Sequence, residues 1–193
     1  MATKKKAAKQ PKRKSATSAK KSAKPKQVVL PARIAKYFDQ HGAAYKILSH
    51  RTVYTAFDTA QTLKIDPKIV AKTLIVQADR QLVIVAIPGD RNLDIPKLKK
   101  VISQWSKQQG QAAIKKVSLV TERTITNKLT KTTSAVVPVG GLYKLPTIID
   151  TALLSLKKVV LNAGSFELSL EMSGAGLKKL AEPIVGAFSK KRT

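Results

Sequence analysis

Asp66-Pro67-Lys68-Ile69-Val70-Ala71-Lys72-Thr73-Leu74-Ile75-Val76-Gln77-Ala78-Asp79 is the stretch on which the fold turns. Asp66 before Pro67 reads as an N-cap followed by a first helical position. The carboxylate can accept an orphan N–H there, and proline's fixed φ suits the opening turn. Thr73 to Gln77 is β-branched and apolar and reads as a buried strand. Lys72 stands at the junction, held by rigid elements on both sides. That makes it a candidate for a fixed cation inside a pocket. The alternative is a stem packed on the domain with its ammonium in water.

Working outward, Leu82–Pro88 reads as a second strand, joined to the first across Ala78-Asp79-Arg80-Gln81. The spacing is that of a hairpin, although the favoured Asn-Gly or Asp-Gly is missing. Gly89–Asn92 reads as a turn, and Asp94 caps a helix with Pro96 near its start, running to about Lys107. Upstream, Pro31–Gln40 has Ile34, Tyr37 and Phe38 on one face and reads as an amphipathic helix ended by Gly42. Ala44–Ser49 alternates as a strand, and Thr55-Ala56-Phe57-Asp58 has the form of a capping box. Downstream, 112–117 reads as a strand and Ser118 as the start of a weak helix. Residues 135–139, 147–150, 159–162, 167–171 and 184–188 read as strands, and 173–180 as a helix. Strands and helices interleave without regular βαβ order. This predicts an α+β fold with a mixed, mostly antiparallel curved sheet and surrounding helices.

The chain has 193 residues with 37 Lys+Arg against 11 Asp+Glu, a net charge of +26. Residues 1–26 carry 11 of the basic residues and no acid, among them Lys4, Lys5, Lys6, Lys12, Arg13, Lys14, Lys20 and Lys21. This Lys/Ala/Pro/Ser stretch has no aromatic residue, so nothing offsets the entropy of ordering it. It predicts a disordered basic tail over 1–27, followed by one domain over 28–190. These cations are candidates for nucleic-acid binding through phosphate contacts, with a solubilising arm as the alternative. The tail lacks the apolar stretch of a secretory signal, and no apolar run is long enough to span a membrane. A cytoplasmic protein is expected.

Cysteine is absent, which excludes disulfides and thiolate chemistry. His41 and His50 have no carboxylate at metal-ligand spacing, so no metal and no cofactor is expected. No phosphate-binding glycine loop and no Gly-x-Ser-x-Gly elbow occurs. An enzyme with this composition works by positioning and by a few cations or backbone amides. Aromatic residues make up 5% of the chain, which argues against base stacking on an aromatic platform.

Several segments, taken in order, resemble the YbaK/ProX family, relatives of the editing domain inserted in bacterial prolyl-tRNA synthetases. They are Tyr45-Lys-Ile-Leu-Ser-His50, Tyr54-Thr-Ala, Ile69-Val-Ala-Lys72-Thr-Leu, Ala86-Ile-Pro-Gly-Asp-Arg-Asn-Leu-Asp94, Lys144-Leu-Pro-Thr-Ile-Ile-Asp150 and Asn162-Ala-Gly-Ser165. The resemblance implies a curved mixed sheet and hydrolysis of wrongly charged aminoacyl-tRNA. It implies that Lys72 is the main functional side chain, with Thr73 beside it. It also implies a Gly-x-x-x-Pro loop lining the aminoacyl pocket. Here that loop reads Ser134-Ala-Val-Val-Pro138, with serine in place of the glycine and Gly140 and Gly141 just after. Ser134, Pro138, Gly140, Gly141 and Ser169 are therefore candidate substrate-binding residues. His50, beside a strand end, is a further candidate for the pocket lining, with an ordinary surface histidine as the alternative. Two readings follow: an aminoacyl-tRNA deacylase acting in trans, with tRNA as partner and a tail that also suits DNA or the ribosome; or a catalytically altered relative that binds nucleic acid or the ribosome.

Overall fold

The computed structural model describes residues 29–130 and 135–192. The expectations placed on the tail and on Ser134 fall outside these residues. Helix α1 (Ala32–Gln40) buries Ile34 and Phe38, and the chain leaves it through Gly42 at φ +58°, a left-handed conformation glycine adopts without penalty. Strand β1 (Lys46–Ser49) leads to helix α2 (Ala56–Leu63), where the Thr55 hydroxyl accepts the Asp58 N–H at 3.0 Å. Asp66 accepts the Lys68 N–H at 2.9 Å, and Pro67–Ile69 makes the expected single turn.

Strands β2 (Ala71–Ala78) and β3 (Gln81–Pro88) pair antiparallel from Ala71↔Pro88 to Ala78↔Gln81. The hairpin manages without Asn-Gly because Asp79 takes φ +48°, which a short polar side chain tolerates. Its carboxylate then accepts the backbone N–H groups of Lys115 at 3.0 Å and Lys116 at 2.8 Å. Those bonds hold the Asp79 carboxyl below the usual aspartate range.

Next come β4 (Arg91–Leu93) and helix α3 (Ile95–Gln108), capped by Asp94, which accepts the Lys97 N–H at 3.0 Å. Strand β5 (Val117–Leu119), helix α4 (Glu122–Ile125), strand β6 (Thr147–Asp150) and helix α5 (Thr151–Leu154) follow. Strands β7 (Val159–Asn162) and β8 (Leu168–Met172), helix α6 (Gly174–Ala181), and strands β9 (Ile184–Gly186) and β10 (Ser189–Lys191) complete the fold. One sheet has the order β5-β2-β3-β6-β9, with β6 parallel to both β3 and β9. A second, antiparallel sheet has the order β1-β8-β7, and β4 pairs with β10. The fold is the mixed, mostly antiparallel α+β arrangement read from the sequence, with its strands divided among three sheets.

β3 lies at the middle and is covered on both faces. Val83, Val85 and Ile87 pack with Leu98 and Ile102 of α3, while Ala86 belongs to the cluster of Phe38, Ile149, Leu161, Leu168 and Leu170. A strand buried on both sides reads as an unbroken apolar run, which is what Leu82–Ile87 shows. Asp150, itself buried, accepts N–H groups from Ala152 at 2.9 Å, Phe188 at 3.0 Å and Ser189 at 2.9 Å. One carboxylate thus caps α5 and fixes the C-terminal segment.

Local expectations fail where side chains or distant strands take up the backbone. Residues 112–116 form no strand: the Ser106 hydroxyl bonds the Ala112 carbonyl at 2.7 Å, and the Ser103 hydroxyl accepts the Ile114 N–H at 3.2 Å. Ser118 cannot start a helix because it pairs with Gln77 in the sheet, and the helix begins after Thr121. Arg91 and Asn92 belong to β4 rather than to a turn, and their partner β10 is a lysine-rich segment without strand-like pattern. Residues 135–139 are buried but unpaired as a strand; Val137 N–H bonds the Tyr143 hydroxyl instead. Among the described residues no helix is long and apolar enough to cross a membrane.

Candidate active site

A cleft of about 340 Å³ opens between the start of β2 and the β7–β8 hairpin. Lys72, Thr73, His50 and Ser169 all line it. Lys72 is the second residue of β2, opposite Ile87. The backbone just before it is tied on two sides: Val70 bridges Val160 of β7, and its carbonyl accepts the Gly89 N–H at 2.8 Å. Gly89 must be glycine there, since a β-carbon would sit 2.8 Å from the Pro67 carbonyl oxygen and 3.2 Å from that of Val70. The helical turn and the strand therefore hold Lys72 as expected. Its ammonium makes no ion pair among the described residues.

The Thr73 hydroxyl oxygen is buried and has no hydrogen-bond partner among the described residues. A buried polar group left in this state costs free energy unless something meets it, and here it borders a cavity. Across the cleft, His50 Nδ1 lies 2.8 Å from the Arg51 carbonyl oxygen. A carbonyl only accepts, so Nδ1 carries the proton. In the neutral ring, Nε2 then accepts the Ser169 hydroxyl, 2.9 Å away. Ser169, 3% exposed on the central strand β8, is left with oxygen lone pairs free for a donor in the cleft.

Pro138, Gly140 and Gly141 do not line the cleft. Pro138 is buried in the loop. A β-carbon on Gly140 would collide with the Leu145 carbonyl and the Thr147 side chain, and one on Gly141 with the Tyr37 hydroxyl. These glycines serve close packing of the turn, not approach of a ligand. The loop reaches the cleft through Ala135 and Val136 instead. Burial raises the pKa of nearby Tyr143, whose hydroxyl holds the loop by accepting the Val137 N–H. Tyr54, Phe166, Asn162 and Glu122 also line the cleft; Tyr54 and Asn162 stand in segments that carry the family resemblance, while Phe166 and Glu122 have no sequence signal. Among the described residues no cluster of His, Cys, Asp or Glu could hold a metal.

The profile of the aminoacyl-tRNA editing domain matches residues 50–180, which takes in both walls of this cleft. The chain belongs to the aminoacyl-tRNA editing domain family. Solved structures share its fold. A hypothetical protein, APE2540, superposes with a TM-score of 0.67 at 23% identity, over 82% of this chain and 99% of that one. A protein proposed to be a trans-editing enzyme for prolyl tRNA synthetase superposes with a TM-score of 0.65 at 19% identity, over 82% and 95%. Comparison with curated proteins gives no match. Lys72 thus lies on one sheet and Ser169 on another, with His50 just beyond the end of β1.

Proposed function

We propose that the protein is a deacylase that hydrolyses the ester of wrongly charged aminoacyl-tRNA in trans. The observation that carries this reading is the pairing of the Lys72 ammonium with the buried Thr73 hydroxyl on the wall of one cleft, neither with a partner among the described residues. A cation held by rigid strands beside an ester stabilises the negative charge that develops on the carbonyl oxygen. Thr73 offers a hydroxyl to the same centre. Ser169, oriented by His50, offers an acceptor to the α-ammonium group of the aminoacyl moiety. Water is the nucleophile, oriented with the help of the substrate's free ribose hydroxyl; it adds to the ester carbonyl and the ribose oxygen leaves as the tRNA hydroxyl, releasing the amino acid. Ser134 comes just before the cleft-lining Ala135 and Val136 in sequence, and serine in place of the family's glycine is the substitution that would set which acyl group is accepted. The reaction is placed in the cytoplasm, where tRNA is charged.

The test is a panel of mischarged tRNAs offered to the full chain, with the Ser134→Gly variant run in parallel. Hydrolysis of one or a few members is expected, and the variant should change the preference among them by roughly 5- to 150-fold, the scale of one small group. A parent chain that hydrolyses no member sinks the reading.

The basic tail grips tRNA phosphates without reading sequence. Removing residues 1–26 should weaken binding and flatten its salt dependence, each single-strand contact contributing about −0.7 to the log–log slope. Equal slopes with and without the tail would reduce it to a solubilising arm. A tail-dependent preference for duplex DNA would favour a nucleic-acid-binding role instead.

A further inference from the structure

The mouth of the cleft carries exposed aromatic surface. Tyr54 is 73% exposed and its ring lies against that of Phe166, with centroids 4.9 Å apart and planes inclined by 57°. Both line the cleft that holds Lys72 and Thr73. Phe57, one turn away at the start of α2, is 48% exposed. The chain bearing Tyr54 is fixed in place. His50 donates its N–H to the Glu167 carbonyl at 3.0 Å and Val53 donates to the Phe166 carbonyl at 2.9 Å. The Thr52 hydroxyl adds a bond to the Glu167 carboxylate at 3.1 Å. These contacts extend the β1–β8 pairing to the rim, so the ring pair is presented on a rigid support.

We infer that Tyr54 and Phe166 form a stacking platform for the purine base of the 3′-terminal nucleoside, the one whose ribose bears the aminoacyl ester. The inference rests on the deacylase reading and extends it to the nucleoside end of the substrate. The order of groups along that substrate is acyl side chain, carbonyl, ribose, base. With the carbonyl at Lys72 and Thr73, the acyl side chain is directed to the buried apolar wall of Ile75, Val136 and Leu161. The ribose and base then extend outward toward the rim, where Tyr54 and Phe166 line the same cleft. A ring three-quarters exposed at a rim cannot enclose an acyl group, but it can offer one face to a flat base. The adenine that ends every tRNA supplies such a face. Stacking of this kind tolerates any sequence upstream, which suits an enzyme sorting tRNAs by the amino acid attached.

The test replaces the terminal adenine of tRNA with 2-aminopurine, whose fluorescence falls on stacking, and links the amino acid by an amide so that no hydrolysis occurs. Binding to the full chain should quench the probe severalfold. Tyr54→Ala should abolish the quench, and Tyr54→Trp and Tyr54→Phe should retain it. On hydrolysable substrate, Tyr54→Ala should raise KM by about 5- to 150-fold, with the larger part of the loss in KM rather than kcat, and Tyr54→Trp should restore it. Tyr54 is exposed, so these variants fold. An unquenched probe in the parent complex, or a quench that survives Tyr54→Ala, overturns the inference. Because the fluorescence needs no turnover, that failure can coincide with full Lys72-dependent deacylation, in which case the platform falls and the deacylase reading stands.

Discussion

The two ends of strand β2 treat their polar groups in opposite ways. At the hairpin, both carboxylate oxygens of Asp79 are taken by backbone N–H groups, and the result is a clamp between the hairpin and the segment after α3. At the other end, Lys72 has no ion pair and the Thr73 hydroxyl no partner among the described residues, and a cleft lies in front of them. The same strand supports both ends, and β3 pairs with it over its whole length. Slackness of the strand therefore does not explain the open groups. Polar atoms that hold a fold are paired within it; those left open beside a cavity are available to something that arrives from outside.

The largest effect should come from the open end. Lys72→Ala should reduce single-turnover deacylation roughly 10²–10³-fold, about 2.7–4 kcal/mol of lost charge stabilisation, while urea unfolding stays near that of the parent. A variant that deacylates at the parent rate removes the lysine from the chemistry. A variant that loses substantial stability would show that the ammonium is structural, and the contrast with Asp79 would disappear.

Thr73→Val sharpens the contrast at nearly constant shape. Deacylation should fall about 2- to 10-fold, the scale of one hydrogen bond of about 0.5–1.5 kcal/mol. Stability should hold or rise slightly, because an unpaired hydroxyl leaves the interior. A stability loss beyond about 1 kcal/mol would mean the hydroxyl has a partner in the folded protein.

The smallest effect belongs to the hairpin and shows as a change in how stability depends on pH. The Asp79 pKa is depressed in the folded chain relative to its ordinary value of 3.8. The group's contribution to stability is therefore fully present above that value and is lost as pH falls through the folded-state pKa. Asp79→Asn should flatten the loss of stability below about pH 4 and leave neutral-pH deacylation unchanged. Urea unfolding from pH 5 to pH 2 reads this directly. An unaltered acid dependence would mean that the two N–H bonds do not favour the charged form.

Much of this contrast is visible in the sequence where causes are local. Asp66-Pro67 and the β-branched run after it place Lys72 correctly, and the caps at Thr55 and Asp94 act as read. His50 and Ser169 line the same cleft as Lys72. What the sequence hides depends on contacts between distant segments. The Tyr54–Phe166 pair exists because the chain after β1 continues alongside the chain before β8, and a low aromatic content says nothing about where the few aromatics gather. Gly140 and Gly141 look like ligand-facing residues in a motif, yet packing against Leu145, Thr147 and Tyr37 accounts for them. Strand β10 is legible only with β4 beside it.

The single bridge between Val70 and Val160 joins the start of β2 to the sheet that carries Ser169. Lys72 and Ser169, proposed to stabilise the carbonyl oxygen and to receive the substrate's amino end, thus stand on different sheets that meet at a seam. A change on β8, or in the loop that delivers Ala135 and Val136, can alter what fits without moving Lys72. For an editing enzyme this separates the evolution of taste from the evolution of bite: new amino acids can be admitted or refused by drift on one side of the seam while hydrolysis is inherited intact on the other.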